Sequence, residues 1–220
     1  PAMMGVYFDI GPEESKFVAT DGHRLVRYIK NDLTSDNEVS FIVPEKALSL
    51  VQKALHGDEC DMTVTEDHIR FKSGNTIVIT RLINEQYPNY ESVIPRENDK
   101  NLVINKEQML STVKRVSIFS STTTRQIRLQ MNPDELTIRA EDIDMSSEAK
   151  ETIACEYNNE EIEIGFNAKY LADVLGNIDG EEVFFEFSTP NRAGIVKPSE
   201  EDDNEQMLML VMPVMLNTYA

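Results

Sequence analysis

The chain has 220 residues, of which 40% are hydrophobic and 27% charged, and this composition is typical of a folded globular protein. Its longest apolar run, 207–216, is about half the length of a membrane-spanning helix, so we expect no such span. The net charge of −18 opposes a general attraction to nucleic acid. Cys60 and Cys155 have no second Cys or His at metal-ligand spacing, so we expect neither a disulfide framework nor a metal site.

The beginning of the chain does not show the basic segment followed by an apolar segment that marks a secretory signal. We therefore expect either a cytoplasmic protein or a sequence whose true start is missing.

An internal repeat governs the expected organisation. Residues 9–21 resemble residues 130–142, and each segment reads as strand, Pro-containing acidic turn, strand. In both copies a short amphipathic helix follows, at 44–56 and at 168–178, and β-rich sequence comes after it. The repeat predicts two domains of one design.

Three helices are predicted, at 44–56, 105–120 and 168–178. Pro44 suits a first helical position and Gly57 suits the position just past a helix end. Asn105 is a candidate N-cap with Gln108 three residues on, and Asn167 is a candidate N-cap for the third helix. Each helix has an apolar stripe and one or two cations outside it, and such cations are commonly just solvated.

Strands account for most of the remainder. They are predicted at 39–43, 62–71, 76–82, 127–131, 136–140, 153–157, 161–165, 183–187, 195–197 and 207–212. Together with the helices they predict an α+β fold in which helices cover one face of a sheet. Prolines and polar residues interrupt both periodicities between Tyr87 and Lys100. We place a domain boundary there, giving domains at 1–97 and 98–220.

The cluster Asp21-Gly22-His23-Arg24 is the main candidate for chemistry, since these side chains could serve acid–base or phosphate chemistry. Asp-Gly before an alternating run is also an ordinary turn signal, and no nucleophile or phosphate-loop motif accompanies it. We therefore predict no catalytic residue, no metal and no cofactor. A small hydrolase or transferase using Asp21, His23 and Arg24 is the alternative, and a structural adaptor is a third hypothesis.

The C-terminal run 207–216 is continuously apolar rather than alternating. Pro213 cannot donate a ladder hydrogen bond and should end the strand, which leaves Val214, Met215 and Leu216 as an apolar tail. Such a tail either packs in the core or lines a groove for a partner.

Several short motifs, in order along nearly the whole chain, resemble a known family. They are Ala19-Thr20-Asp21-Gly22-His23-Arg24-Leu25, then Tyr87-Pro88-Asn89-Tyr90 with Val93-Ile94-Pro95, then Ile164-Gly165-Phe166-Asn167 with Tyr170, then Val211-Met212-Pro213. The sequence is similar to the sliding clamp of bacterial DNA polymerase III, its β subunit.

The resemblance implies two repeated clamp domains with antiparallel sheets covered on one face by helices. Family members have three such domains and pair head to tail as a homodimeric ring around duplex DNA. By this resemblance 1–97 is the second domain without its first strand and helix, and 98–220 is the third. A processivity factor without enzymatic activity is implied, located in the bacterial cytoplasm at the nucleoid.

The resemblance also implies two surfaces. The family's inner helices face DNA without reading its sequence, and the matching cations are Lys46, Lys53, Lys106, Lys114, Arg115 and Lys169. A groove binds a short motif, roughly Gln-Leu-x-Leu-Phe, of the polymerase catalytic subunit, the clamp loader and other partners. The matching groove residues are Met3, Thr20, Gly22, His23, Arg24, Leu25, Pro88, Val93, Asn167, Tyr170, Leu210, Met212, Pro213, Val214 and Met215.

Some positions depart from the family pattern. Ser92 and Met215 stand where the family often has Arg, which predicts weaker electrostatic help to the peptide. The segment 217–220 extends past the point at which many members stop.

Ile118 and Phe119 match the edge that meets a neighbouring chain's first domain. Without that domain we expect this chain not to close a ring.

Overall fold

The computed structural model describes residues 1–56 and 59–216, and these form two compact units. The first unit comprises Pro1–Asp21, Leu25–Glu91 and Asp203–Gln206. The second comprises Gly22–Arg24, Ser92–Asp202 and the chain from Met207 onward. The domain boundary near residue 97 stays a prediction, and the predicted helix-ending Gly57 lies outside the described residues.

The first unit contains two antiparallel sheets and one α-helix among its described residues. In chain order its elements are β1 (Gly5–Ile10), β2 (Ser15–Thr20), β3 (Arg24–Lys30), β4 (Val39–Pro44), α1 (Glu45–Ala54), β5 (Asp61–Val64), β6 (His68–Ser73) and β7 (Thr76–Arg81). The strands are ordered β3-β2-β1-β4 in one sheet and β5-β6-β7 in the other. A short 3-10 helix, Ala2–Met4, precedes β1, and another, Tyr90–Val93, follows β7.

Aromatic and branched side chains from both sheets form the core of the first unit. This core contains Phe8, Ile10, Phe41, Val43, Ile69 and Phe71. The predicted stripe of α1, including Leu48 and Val51, packs against it, yet no residue of α1 is buried. A single helix leaves its flanks open to solvent, so α1 covers the sheets only partly.

The second unit repeats this design with more strands and a second helix. Its elements are β8 (Lys100–Asn105), α2 (Lys106–Ser117), β9 (Gln126–Asn132), β10 (Glu135–Asp142), β11 (Ser147–Ala154), β12 (Glu156–Tyr157), β13 (Ile162–Asn167), α3 (Ala168–Gly176), β14 (Glu182–Phe187), β15 (Gly194–Pro198) and β16 (Glu205–Val211). The strands are ordered β12-β8-β14-β15-β16 and β11-β10-β9-β13, and every neighbouring pair is antiparallel. The predicted α+β class is confirmed.

Both helices of the second unit begin at the predicted caps. The side chain of Asn105 accepts a hydrogen bond from the backbone N–H of Gln108 at 2.9 Å. The side chain of Asn167 accepts from the backbone N–H groups of Lys169 and Tyr170. Asn and Asp are favoured at N-caps because they satisfy such otherwise unpaired N–H groups. The two helices pack on each other, and α2 also contacts β8 to β11.

Several predicted strands were wrong in extent. The run 62–71 is two strands, β5 and β6, because Thr65 turns the chain and bonds to His68 through both backbone and side chain. No Gly or Pro marks that turn. The predicted strand 153–157 breaks at Cys155 into β11 and β12, and β8 was not predicted.

Candidate functional site

The site of the second unit begins at the turn Gly22–Arg24. Gly22 has φ = +85°, a left-handed conformation that costs glycine little and other residues more. The Asp-Gly turn signal predicted from the sequence therefore marks a real reversal of the chain. It presents the side chains of His23 and Arg24 to helix α3.

His23 and Arg24 both contact Tyr170 on α3. The rings of His23 and Tyr170 are stacked with centroids 5.5 Å apart. The guanidinium of Arg24 lies 4.5 Å from the centroid of the Tyr170 ring, a cation–π geometry, and it donates to a carboxylate oxygen of Asp173 at 2.8 Å. Tyr170 and Asp173 lie three residues apart on one helix face, so one helix supplies both contacts.

The chain after β16 forms an apolar wall at this site. Beyond the end of β16, the backbone N–H of Met212 donates to the carbonyl of His23 at 2.8 Å. The N–H of Val214 donates to the carbonyl of Gly165 at 2.8 Å, which makes an isolated β-bridge to β13. Met212 and Met215 are exposed to 40% and 69%. Pro213 does end the strand, as predicted, and the tail is bound to its own unit.

Gly165 is required by this arrangement. A Cβ atom at this position would lie 2.6 Å from both the carbonyl oxygen of Val214 and the Cδ2 of Leu216. The tail therefore lies so close to β13 that only glycine, which has no side chain, fits at position 165. The motif containing Gly165 was noted in the sequence, but its contact with the tail was not.

The predicted groove residues divide between the units. The second unit holds Gly22, His23, Arg24, Val93, Asn167, Tyr170, Leu210, Met212, Pro213, Val214 and Met215. The first holds Met3, Thr20, Leu25 and Pro88. Leu25 and Leu210 are buried within their strands, so each would support a surface rather than form it. The side chain of Asn167 already makes hydrogen bonds: its oxygen accepts from N–H groups in the first turn of α3, and its NH₂ group donates to the carbonyl of Thr124.

Asp173 was missed by the sequence analysis. Its spacing from Tyr170 was visible, but no local pattern connects it with Arg24, from which it is separated by 149 positions. The Asp173 carboxylate fixes the Arg24 guanidinium over the tyrosine ring.

The predicted DNA-facing cations fall into two groups. Lys46, Lys53, Lys114 and Lys169 are exposed and form no ion pair with a described residue. Lys106 and Arg115 are engaged: Lys106 donates to the carbonyl of Ile178 at 3.1 Å, and Arg115 forms a two-pronged ion pair with Glu151. The hydrogen bonds of that pair raise the pKa of Arg115 and lower the pKa of Glu151.

Other surface features bear on the remaining predictions. Ile118 and Phe119, which follow α2, are exposed to 77% and 41%. Over the described ranges, no three His, Cys, Asp or Glu side chains come together in a way that could hold a metal ion. No helix in the described part of the chain is long and apolar enough to cross a membrane.

The chain belongs to the DNA clamp class. Each unit is α+β, with antiparallel sheets and covering helices, and the whole superposes on a solved clamp. More narrowly, the chain belongs to the DNA polymerase III beta subunit family. Residues 1–89 match the model of the central domain and residues 91–213 match the model of the C-terminal domain.

Relatives and solved structures agree with this assignment. The chain is 34% identical over 96% of its length to the beta sliding clamp of Pseudomonas aeruginosa, and 27% identical over 97% to that of Bacillus subtilis. It covers 58% and 57% of those two proteins. Nothing in these comparisons supports the hydrolase or transferase alternative.

Among solved structures, a DnaN sliding clamp from Pseudomonas aeruginosa bound to griselimycin superposes with a TM-score of 0.90 at 34% identity, covering 97% of this chain and 57% of that one. A DnaN clamp from Bartonella birtlesii gives 0.88 at 30% identity, with coverage of 98% and 59%.

Proposed function

We propose that the chain is the partner-docking part of a bacterial DNA polymerase processivity factor. Family membership supports this assignment. The observation that carries it is that one unit brings together His23, Arg24, Tyr170 and the apolar segment 212–216. In this proposal the whole protein encircles duplex DNA and tethers a polymerase, which raises the polymerase's effective concentration at the primer end. No covalent chemistry is involved.

In this proposal residues 1–97 are the second clamp domain and residues 98–220 the third. The docking site receives a short apolar peptide of the polymerase catalytic subunit, the clamp loader or another clamp-binding protein. Exposed Met212 and Met215 offer adaptable apolar contacts, while His23 and Arg24, packed on Tyr170, offer fixed polar groups. Apolar anchors with a few fixed polar groups are what a small anchoring peptide requires.

Fluorescence anisotropy of a labelled Gln-Leu-x-Leu-Phe peptide, titrated with this chain, tests the docking site. Met212→Ala and Tyr170→Ala should each weaken binding by about tenfold or more, since central anchors carry about 2 kcal/mol or more. Met62→Ala is the matched control, because Met62 is similarly exposed but lies on β5. Equal affinities for Met212→Ala and Met62→Ala would refute the site.

The four exposed cations that form no ion pair within the described part of the chain are the better candidates for a DNA-facing surface. We propose that Lys46, Lys53, Lys114 and Lys169 contact phosphates, with Lys106 and Arg115 contributing less because they are engaged within their own unit. Reversing the charge of Lys46, Lys114 and Lys169 in a full-length ring should weaken DNA retention and flatten its dependence on salt. Unchanged loading and sliding would favour the adaptor hypothesis instead.

Ile118 and Phe119 are the proposed contact between subunits. In the full-length protein these exposed side chains would form the homodimer edge, because contiguous exposed apolar residues mark association surfaces. A bacterial cytoplasmic location at the nucleoid and the absence of a membrane partner follow from the same assignment.

A further inference from the structure

The docking site of the second unit depends on one arginine for positive charge. Among the groove residues assigned to that unit, Arg24 is the one Lys or Arg. Ser92 and Met215, which belong to the same unit, are uncharged. The response of the site to a charged peptide is therefore decided mainly by what surrounds Arg24.

Asp173 lies against this arginine. Its Oδ2 accepts a hydrogen bond from Nη1 of Arg24 at 2.8 Å, and the side chains of Arg24 and Asp173 are exposed to 29% and 46%. Two opposite charges at this distance form a dipole, whose field falls off faster with distance than that of a single charge. A peptide that binds beside the pair meets little net charge.

The place of Asp173 in its helix is unfavourable for a carboxylate on its own. Asp173 lies in the last turn of α3, where the helix dipole disfavours a negative charge. The side chain of Asn177 pairs the backbone carbonyl of Asp173 at 2.7 Å, but it adds no positive charge. Lys169, one turn earlier, forms no ion pair with a described residue. The cation that compensates the Asp173 carboxylate is thus Arg24.

The same ion pair restricts where the guanidinium lies. The guanidinium of Arg24 is 4.5 Å from the centroid of the Tyr170 ring, and the His23 ring is stacked on the same tyrosine. A ring contact and a charge-assisted hydrogen bond from one helix fix the guanidinium more firmly than either contact would alone. Asp173 therefore has two effects on the site, one on its geometry and one on its charge.

We propose that Asp173 is a positioning residue that sets the charge selectivity of the docking site. It holds Arg24 on Tyr170 and offsets its charge, so the site gains little from a carboxylate in the bound motif. The partner favoured is a clamp-binding segment whose motif is apolar and uncharged. The net charge of −18 acts in the same direction, because it repels acidic peptides. This inference rests on the proposed docking function.

Anisotropy titrations with two labelled peptides of equal shape test this inference. The peptides are Gln-Leu-Asn-Leu-Phe and Gln-Leu-Asp-Leu-Phe, both amidated at the C-terminus, and the measured quantity is the dissociation constant of the first divided by that of the second. For the wild type this ratio should not exceed about one. Asp173→Asn removes the charge and keeps the size of the side chain, so the ratio should rise about threefold at low salt. The rise should shrink at about 0.5 M salt, because screening weakens the uncompensated charge of Arg24.

Arg24→Gln is the reciprocal variant. It leaves the Asp173 carboxylate uncompensated, so the ratio should fall about threefold below that of the wild type. A purely structural role of the ion pair would weaken the binding of both peptides alike and leave the ratio unchanged in both variants.

Asp179→Asn is the matched control. It changes the net charge as much as Asp173→Asn does, at an exposed residue that forms no ion pair within the described part of the chain. Its ratio should equal that of the wild type, and an equal rise in this control would overturn the inference by assigning the effect to net charge.

The outcomes separate this inference from the docking function itself. If both peptides bind and the ratio stays at the wild-type value in Asp173→Asn and Arg24→Gln, the role of Asp173 is overturned while the docking site stands. If the wild-type chain binds neither peptide, the docking function is refuted and the inference falls with it.

Discussion

At the residue scale, the tail approaches Gly165 so closely that the candidate site should be sensitive to any side chain added there. Gly165→Ala should release the tail, because the added methyl group would lie 2.6 Å from the Val214 carbonyl oxygen. We expect a loss of about 1–3 kcal/mol in the free energy of unfolding. Hydrogen exchange at the Val214 amide should become much faster, and peptide affinity should fall.

Gly176→Ala is the control for this change. Gly176 ends helix α3, and a Cβ atom there meets no atom within 4 Å. Hydrogen exchange at the Val214 amide in the Gly176→Ala variant should match that of the wild type. Unaltered exchange at Val214 in Gly165→Ala would show that the bridge does not hold the tail.

The ion pair of Arg115 with Glu151 predicts a pH dependence. Hydrogen bonds from Arg115 lower the pKa of Glu151, and a carboxyl group whose pKa is lower when folded stabilises the protein above its unfolded pKa. That contribution is lost as pH falls through the folded pKa. The urea midpoint of Glu151→Gln should therefore lie slightly below that of the wild type at pH 7, and the difference should shrink below about pH 4.

Glu148→Gln serves as the comparison, because Glu148 forms no ion pair with a described residue. Its midpoint should follow that of the wild type across the same range. A Glu151→Gln difference that is constant with pH would assign the effect to packing rather than to charge.

At the scale of the element, the cap of α2 is a contact that can be tested in isolation. Asn105→Ala leaves the N–H of Gln108 without its side-chain acceptor and should cost about 1 kcal/mol in a urea titration. Asn101→Ala is the matched change, since Asn101 is exposed on β8 and its side chain makes no hydrogen bond with a described residue. If both variants lose equal stability, the cap contributes nothing specific.

Elements with local signals were predicted and those without them were not. Asn105, Asn167 and Pro213 act through neighbours a few residues away, so their spacing sufficed. Strand β11 was largely missed because its apolar pattern is weak. Glu148, Lys150 and Thr152 lie on its exposed face, and on its other face Ala149 and Glu151 stand where larger apolar residues would mark a strand. Its strand conformation depends on pairing with β10, a non-local interaction.

At the scale of the whole molecule, the two units differ in how much apolar area they bury. Of the described hydrophobic residues that are buried, 10 belong to the first unit and 31 to the second. Apolar burial is the dominant favourable contribution to folding. We expect the first unit to unfold at a lower urea concentration than the second.

Hydrogen exchange under increasing urea measures this difference, since the chain has no Trp to report it. Ile69→Ala should lower only the first transition and Leu129→Ala only the second, each by about 2–5 kcal/mol. A single transition that both substitutions shift equally would mean that the units fold as one.

The helix caps, the Asp-Gly turn and the end of the last strand were predictable from the sequence, because each depends on residues close together in the chain, and the repeat was predictable because two stretches of sequence resemble each other directly. Tertiary structure alone decided that Arg24 meets Asp173 and Tyr170 and that the tail lies against Gly165. It also decided that Arg115 is paired with Glu151, whereas Lys114 forms no ion pair with a described residue. Those contacts join positions far apart in sequence. They form only when the sheets and helices bring the backbone into register, and no local pattern encodes that register.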